Sequence, residues 1–186
     1  MLSYLQVGIA HILDVNGYDH MLFIAVLLAG LPSRQWKPIV SLITAFTLGH
    51  SLTLAITIAE GNILPASWVE FLIPVTILLT ATDNLLRSQK KVGLKAGITI
   101  VFGLIHGMGF AGYLGALLPK DMPVWKPLLF FNVGVEIGQL IIAGILLLTL
   151  FLLQYITQNT VQKAQRGISL VGIVISLFLA ASNWPL

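Results

Sequence analysis

Residues 124–155, VWKPLLFFNVGVEIGQLIIAGILLLTLFLLQY, carry a single carboxylate, Glu136, in a run that is otherwise almost wholly apolar or uncharged. A helix needs about 20 apolar residues to cross a bilayer, and this run is longer, so it reads as a transmembrane span. Glu136 then falls about midway through the hydrocarbon. A carboxylate at that depth must be protonated, paired with a cationic side chain or bound to a cation. Asn132, Glu136 and Gln139 follow at helical spacing and share one face.

The rest of the chain has the same character. Of 186 residues, 57% are hydrophobic and 9% charged, and mean hydropathy is +0.94, far above that of a soluble domain. The expected fold is an all-α polytopic membrane helix bundle, residues 1–186 forming a single integral membrane domain. Six spans are predicted at about 19–31, 36–59, 66–86, 94–118, 124–155 and 164–184. Residues 2–13 are apolar but too short to cross, and read as an N-terminal half-helix or re-entrant segment ending in a turn at Asn16-Gly17. The first predicted span is short as well, so the two pieces suit one broken element. A break inside a membrane needs protein or a wet cavity around it.

Local signals mark the span ends. Pro65 followed by Ser67-Trp68-Val69-Glu70 predicts a capping box, and Trp36, Trp68, Trp125 and Trp184 fall near span ends, where amphipathic rings prefer to sit. Arg34, Lys37, Arg87, Lys90, Lys91, Lys95, Lys163 and Arg166 lie on one side of the predicted topology, against Lys120 and Lys126 on the other. That bias predicts both termini outside. The charge of +3 and pI near 9.3 therefore report topology, and no nucleic-acid partner is expected. The opening residues lack a basic segment and a small-residue cleavage site, so no cleavable signal peptide is expected. No internal repeat stands out. With no cysteine, any metal must be held by nitrogen and oxygen.

Besides the Glu136 face, three places carry histidines inside or beside spans. HILDVNGYDH, residues 11–20, holds His11, Asp14, Asp19 and His20 around the turn, placed by this topology at the outer face. Two histidines and a carboxylate suit a divalent transition metal, whereas the bland reading makes Asp19 a cap and leaves the histidines in interfacial hydrogen bonds. His50 sits beside a stripe of Thr44, Thr47 and Ser51, and on this motif alone the favoured reading is a hydrogen bond to a neighbouring helix. His106 lies among Gly103, Gly107 and Gly109, which admit either an ion or a closely packed helix. Asp83-Asn84 fall near the inner end of the third span, where Asp83 suits an inner gate or exit ligand.

The segments HILDVNGYDHMLF, FTLGHSLTL, FGLIHGMGFAG and FNVGVEIGQ, in this order, resemble the HupE/UreJ family of small bacterial membrane proteins, in particular a branch with an FNxGVExGQ signature. The resemblance runs from His11 to about Leu150. It implies a nickel permease, some relatives being linked to cobalt, and it implies the bacterial inner membrane. By resemblance, His11, Asp19 and His20 match the family's histidine–aspartate–histidine motif, here two residues longer, and His106 matches the histidine of its second His-Gly motif. The glutamate that ends that second motif elsewhere is lacking here; Glu136 on the next span is the acid available.

Two functions are carried forward. The first is a permease for nickel or cobalt, with Asp19 and His20 capturing the ion at the outer entrance. His50, His106 and Glu136 receive it at depth, His11 folds back toward them, and Asn132, Gln139 and Ser51 support the ligands. No ATP-binding motif is present, so transport would be passive or proton-coupled. The second is a membrane-embedded hydrolase using zinc on the same ligands. The lipid bilayer is the expected partner, and oligomerisation is left open.

Overall fold

The computed structural model describes residues 1–31, 36–86, 92–118, 123–156 and 160–185. Their helices are α1 (Leu2–Leu13), α2 (Tyr18–Ala29), α3 (Trp36–Glu60), α4 (Ala66–Leu85), α5 (Val92–Leu117), α6 (Trp125–Ile156) and α7 (Thr160–Ser182), with a 3-10 turn at Val15–Gly17. Helices prevail because lipid offers the backbone no hydrogen bonds, so each segment must satisfy its own amides. Helices α3 to α7 are each long and apolar enough to cross a membrane, and α1 with α2 pass that test only together, bent by 49°. The six expected spans follow if that bent pair is one. Its N-terminal limb is the expected half-helix.

The contacts of α1 and α2 show a broken span running from one end of the bundle to the other. At its start the Tyr4 hydroxyl donates to the Leu117 carbonyl at the end of α5, 3.3 Å away. Helix α1 then runs parallel to α6, with Gly8 against Phe131 and Val135, and Ile12 against Gly138. Past the break, α2 finishes at the opposite end. There Asn84 Nδ2 donates to the Val26 carbonyl at 2.7 Å, Lys95 Nζ to Gly30 at 3.2 Å and Gln165 Nε2 to Leu31 at 2.9 Å. These side chains satisfy carbonyls that the end of α2 leaves without helical partners.

Lys37, Lys95, Lys163 and Arg166 belong to helix ends on that second, basic end, and Lys126 to the far end. Arg34, Arg87, Lys90, Lys91 and Lys120 lie outside the described residues. The four tryptophans stand at helix ends, each about half exposed or more. The capping box does not form. Helix α4 begins at Ala66 behind Pro65, whose carbonyl accepts from Trp68 and Val69, and no side chain caps it. Ser67 is thereby already inside the first turn, too late to serve as the cap.

Candidate functional site

Four elements bring all four histidines to one place. His11 comes from the last turn of α1, His20 from the first turn of α2, His50 from the middle of α3 and His106 from the middle of α5. Ring centroids lie 4.6 Å apart for His11 and His20, 5.8 Å for His11 and His50, 6.1 Å for His20 and His50, and 5.3 Å for His20 and His106. At 1.5 Å per residue, each is about 14 Å or more from the nearer end of its span, so the cluster is at mid-depth.

The break in the first span makes this possible. Asp14 stops α1 in an extended conformation and accepts the Asn16 amide at 2.9 Å, which shapes the turn. Chain direction shifts there, so His11 and His20 face each other across the break. The expectation that this stretch lies at the outer face gives way to a central one. Its cause is the packing of α1 as half of a span, which no hydropathy window shows.

Close helix approach positions the other two. Helices α3 and α5 run parallel, with Gly49 against the Ile100 carbonyl, Gly103 against the Phe46 carbonyl and Gly107 against the His50 carbonyl. A Cβ at any of these glycines would meet backbone, so glycine is what permits the approach and brings His50 and His106 to the same cluster. His50 is 0% and His106 1% exposed.

Hydrogen bonds fix which ring nitrogens are free. His106 Nδ1 donates to the Phe102 carbonyl at 2.9 Å, and His20 Nδ1 lies 3.1 Å from Asp19 Oδ1, which also accepts the His20 amide. With Nδ1 so engaged, the neutral tautomer of each ring has its lone pair on Nε2. The Nε2 atoms of His11, His20 and His106 and both ring nitrogens of His50 are buried without a hydrogen-bond partner. Each unpaired buried polar atom costs about 1–3 kcal/mol, so five in one cluster need a reason. As the rings stand, no three His, Asp or Glu side chains among the described residues form a metal-holding set. The rings are near one another but not aimed at one point.

Phenylalanines line the cluster on both sides. Toward the basic end, Phe23 and Phe46 pack 5.2 and 5.1 Å from His106, and Phe102 adjoins Phe23 at 6.2 Å. Toward the far end, Phe110 lies 3.7 Å from His11 and stacks on Phe131 at 5.3 Å. A cavity of about 560 Å³ opens near the basic end between α2, α4 and α5, lined by Asp83, Lys95 and Thr99 among others, and reaches Phe102.

Glu136 is hydrogen-bonded to α3. Its Oε1 accepts the Thr44 hydroxyl at 2.6 Å, and Gln139 Oε1 accepts that of Thr47 at 2.9 Å, both from α3. Thr44 precedes His50 by about 9 Å of helix, so this carboxylate stands toward the basic end of the histidines. The Asn132 side-chain oxygen is buried without a partner, and the Ser51 hydroxyl turns back to the Thr47 carbonyl at 2.6 Å. Sequence reasoning missed the phenylalanine layers. The only signal was spacing: Phe46 and Phe102 each precede a histidine by one helical turn.

A sequence model of the family described as HupE / UreJ protein matches residues 1–183. The chain belongs to the HupE/UreJ family. No curated protein and no solved structure is significantly similar to it. In this HupE/UreJ protein the matched residues include both limbs of the broken span and all four histidines.

Proposed function

We propose that this HupE/UreJ protein is a permease for a divalent transition metal ion, nickel or cobalt, and that the histidine cluster is where the ion rests at mid-membrane. The observation that carries this reading is the set of five unpartnered imidazole nitrogens on four rings within 6.1 Å of a neighbour. Imidazoles bound to one ion through metal–nitrogen bonds of about 2.1 Å have centroids roughly 4.5–6.5 Å apart, the spacing seen here. Binding one ion would require the side chains to rotate so that these nitrogens turn toward a common point. Imidazole favours nickel, cobalt, copper and zinc over magnesium or calcium, and family membership supports the first two.

Each group has a defined task. The imidazoles replace the water that the ion sheds on leaving solvent. Asp19 holds the His20 ring by its Nδ1 and brings a negative charge against the dication. Glu136, with Thr44, is the next oxygen station toward the basic end, where the vestibule bearing Asp83 leads out. By the positive-inside bias, that end faces the cytoplasm of a bacterial inner membrane. A hydrolase would use the same histidines, but phenylalanines on both sides favour a bare ion over a lipid or peptide substrate.

Proteoliposomes carrying the wild-type protein are expected to accumulate radioactive nickel or cobalt above empty vesicles. Asp19→Asn, which weakens the hold on His20, should slow that uptake by about 10–100-fold. Flux equal to that of empty vesicles for both ions overturns the permease reading.

A further inference from the structure

The two tightest helix pairs repeat the same contacts. A Cβ on Gly103 of α5 would strike the Phe46 carbonyl and His50 amide of α3; one on Gly8 of α1 would strike the Phe131 carbonyl and Val135 amide of α6. The reciprocal glycines repeat as well: Gly49 of α3 meets Ile100 and Leu104, and Gly134 of α6 meets Leu5 and Ile9. One constant shift along the sequence thus carries Leu5, Gly8 and Ile9 onto Ile100, Gly103 and Leu104. A second carries Phe46, Gly49 and His50 onto Phe131, Gly134 and Val135. These shifts align Gly-x-x-His at 8–11 with Gly-x-x-His at 103–106, and Phe-x-x-Gly at 46–49 with Phe-x-x-Gly at 131–134. His11 falls on His106, and Phe46 on Phe131.

The equivalent helices run in opposite directions. Helix α1 starts at the far end and α5 at the basic end, so the relation is a two-fold axis in the membrane plane. Two other helix pairings fit it. Helices α4 and α7, which would be exchanged, pack on each other, with Phe71 and Trp184 rings 5.1 Å apart. Gly109 of α5 meets Ile73 of α4, and in the exchanged helix pair Val26 of α2 meets Gly172 of α7, the glycine there being on the other partner.

We infer that helices α1–α4 and α5–α7 are inverted repeats, and that Phe46 and Phe131 are equivalent gates closing the histidine cluster toward the basic and far ends respectively. The His50 ring lies stacked between them, 5.8 Å from Phe46 at 25° and 6.4 Å from Phe131 at 20°. Each gate is backed by a second ring, Phe46 by Phe23 at 5.0 Å and Phe131 by Phe110 at 5.3 Å. Inverted repeats around a mid-membrane site are the architecture of alternating access, in which the halves exchange conformations. Here the halves already differ, because α1 and α2 are broken where α5 is continuous. Exchange would move the vestibule from between α2, α4 and α5 to the far end, between α5, α7 and α1. The purpose of the gates rests on the permease reading; the repeat and the position of the rings do not.

The chain has no cysteine, so a single introduced thiol reports without background. His50→Cys places it between the two rings. In right-side-out and inside-out vesicles, a membrane-impermeant thiol reagent should label His50→Cys/Phe46→Ala faster from one side. It should label His50→Cys/Phe131→Ala faster from the opposite side, each at least about tenfold above His50→Cys alone. Acceleration from the same side in both, or in neither, overturns the paired gates. Leucine replaces alanine at either position if the first variant does not accumulate as a monodisperse protein in detergent. Labelling needs no bound or moving metal, so failure of ion uptake leaves this result readable on its own.

Discussion

His50→Ala is expected to reduce nickel or cobalt uptake into proteoliposomes by at least about 100-fold while leaving the protein folded. The direction follows from burial. His50 is fully buried, stacks between Phe46 and Phe131, and leaves both ring nitrogens without a partner. A ring whose role was only to fill space would be replaced by alanine at the cost of a cavity, lowering stability with little effect on ion flux per folded protein. A ring that ligates the ion removes one of its few bonds in a medium with no water to substitute. Loss of an outer partner to a ligand already costs 10–100-fold, and loss of the ligand itself should cost more. Uptake per folded protein, with folding followed by size-exclusion chromatography, separates the two. His50→Phe adds a further check, since it preserves the stacked ring and removes only the nitrogens.

The second large effect is on stability. Gly103→Ala should lower the stability of the purified protein by about 3 kcal/mol or more, toward the upper end of what overpacking costs. The added methyl meets the Phe46 carbonyl and the His50 amide, which are backbone atoms of α3 and cannot rotate aside. Relief requires α3 and α5 to separate, which also pulls His50 from His106. Gly144→Ala is the matched control, because nothing lies within 4 Å of a Cβ at that position of α6. There alanine should be neutral or stabilise by up to about 1 kcal/mol through helix propensity. Equal thermal denaturation curves for the two variants in detergent would show that the glycine contact is not what holds the pair together.

Much of this was visible in the chain itself. Apolar runs and their basic connections give the spans, because hydrocarbon imposes length and composition on every crossing segment. His50, His106 and Glu136 stood out because ionisable groups are rare at depth. The depth of His11 and His20 was not legible: residues 2–13 are too short to cross, and only packing against α6 makes them half of a span. Glu136 was expected to serve the ion together with His50 and His106, with no prediction of which side chain it would meet; its hydrogen-bond partner is Thr44, since sharing a bundle interior does not set the level at which side chains meet. The phenylalanine layers were hidden because Phe in an apolar run carries no contrast. The repeat was hidden for a related reason, its two halves sharing little beyond Gly-x-x-His and Phe-x-x-Gly.

The most direct test of an imidazole ion site is X-ray absorption spectroscopy at the nickel edge on purified protein loaded with one equivalent of nickel. A site formed by the four histidines gives a nitrogen shell near 2.0–2.1 Å with outer-shell scattering from at least three imidazoles, reduced in His106→Ala. A spectrum of oxygen ligands without imidazole scattering, or one unchanged in His106→Ala, would contradict it.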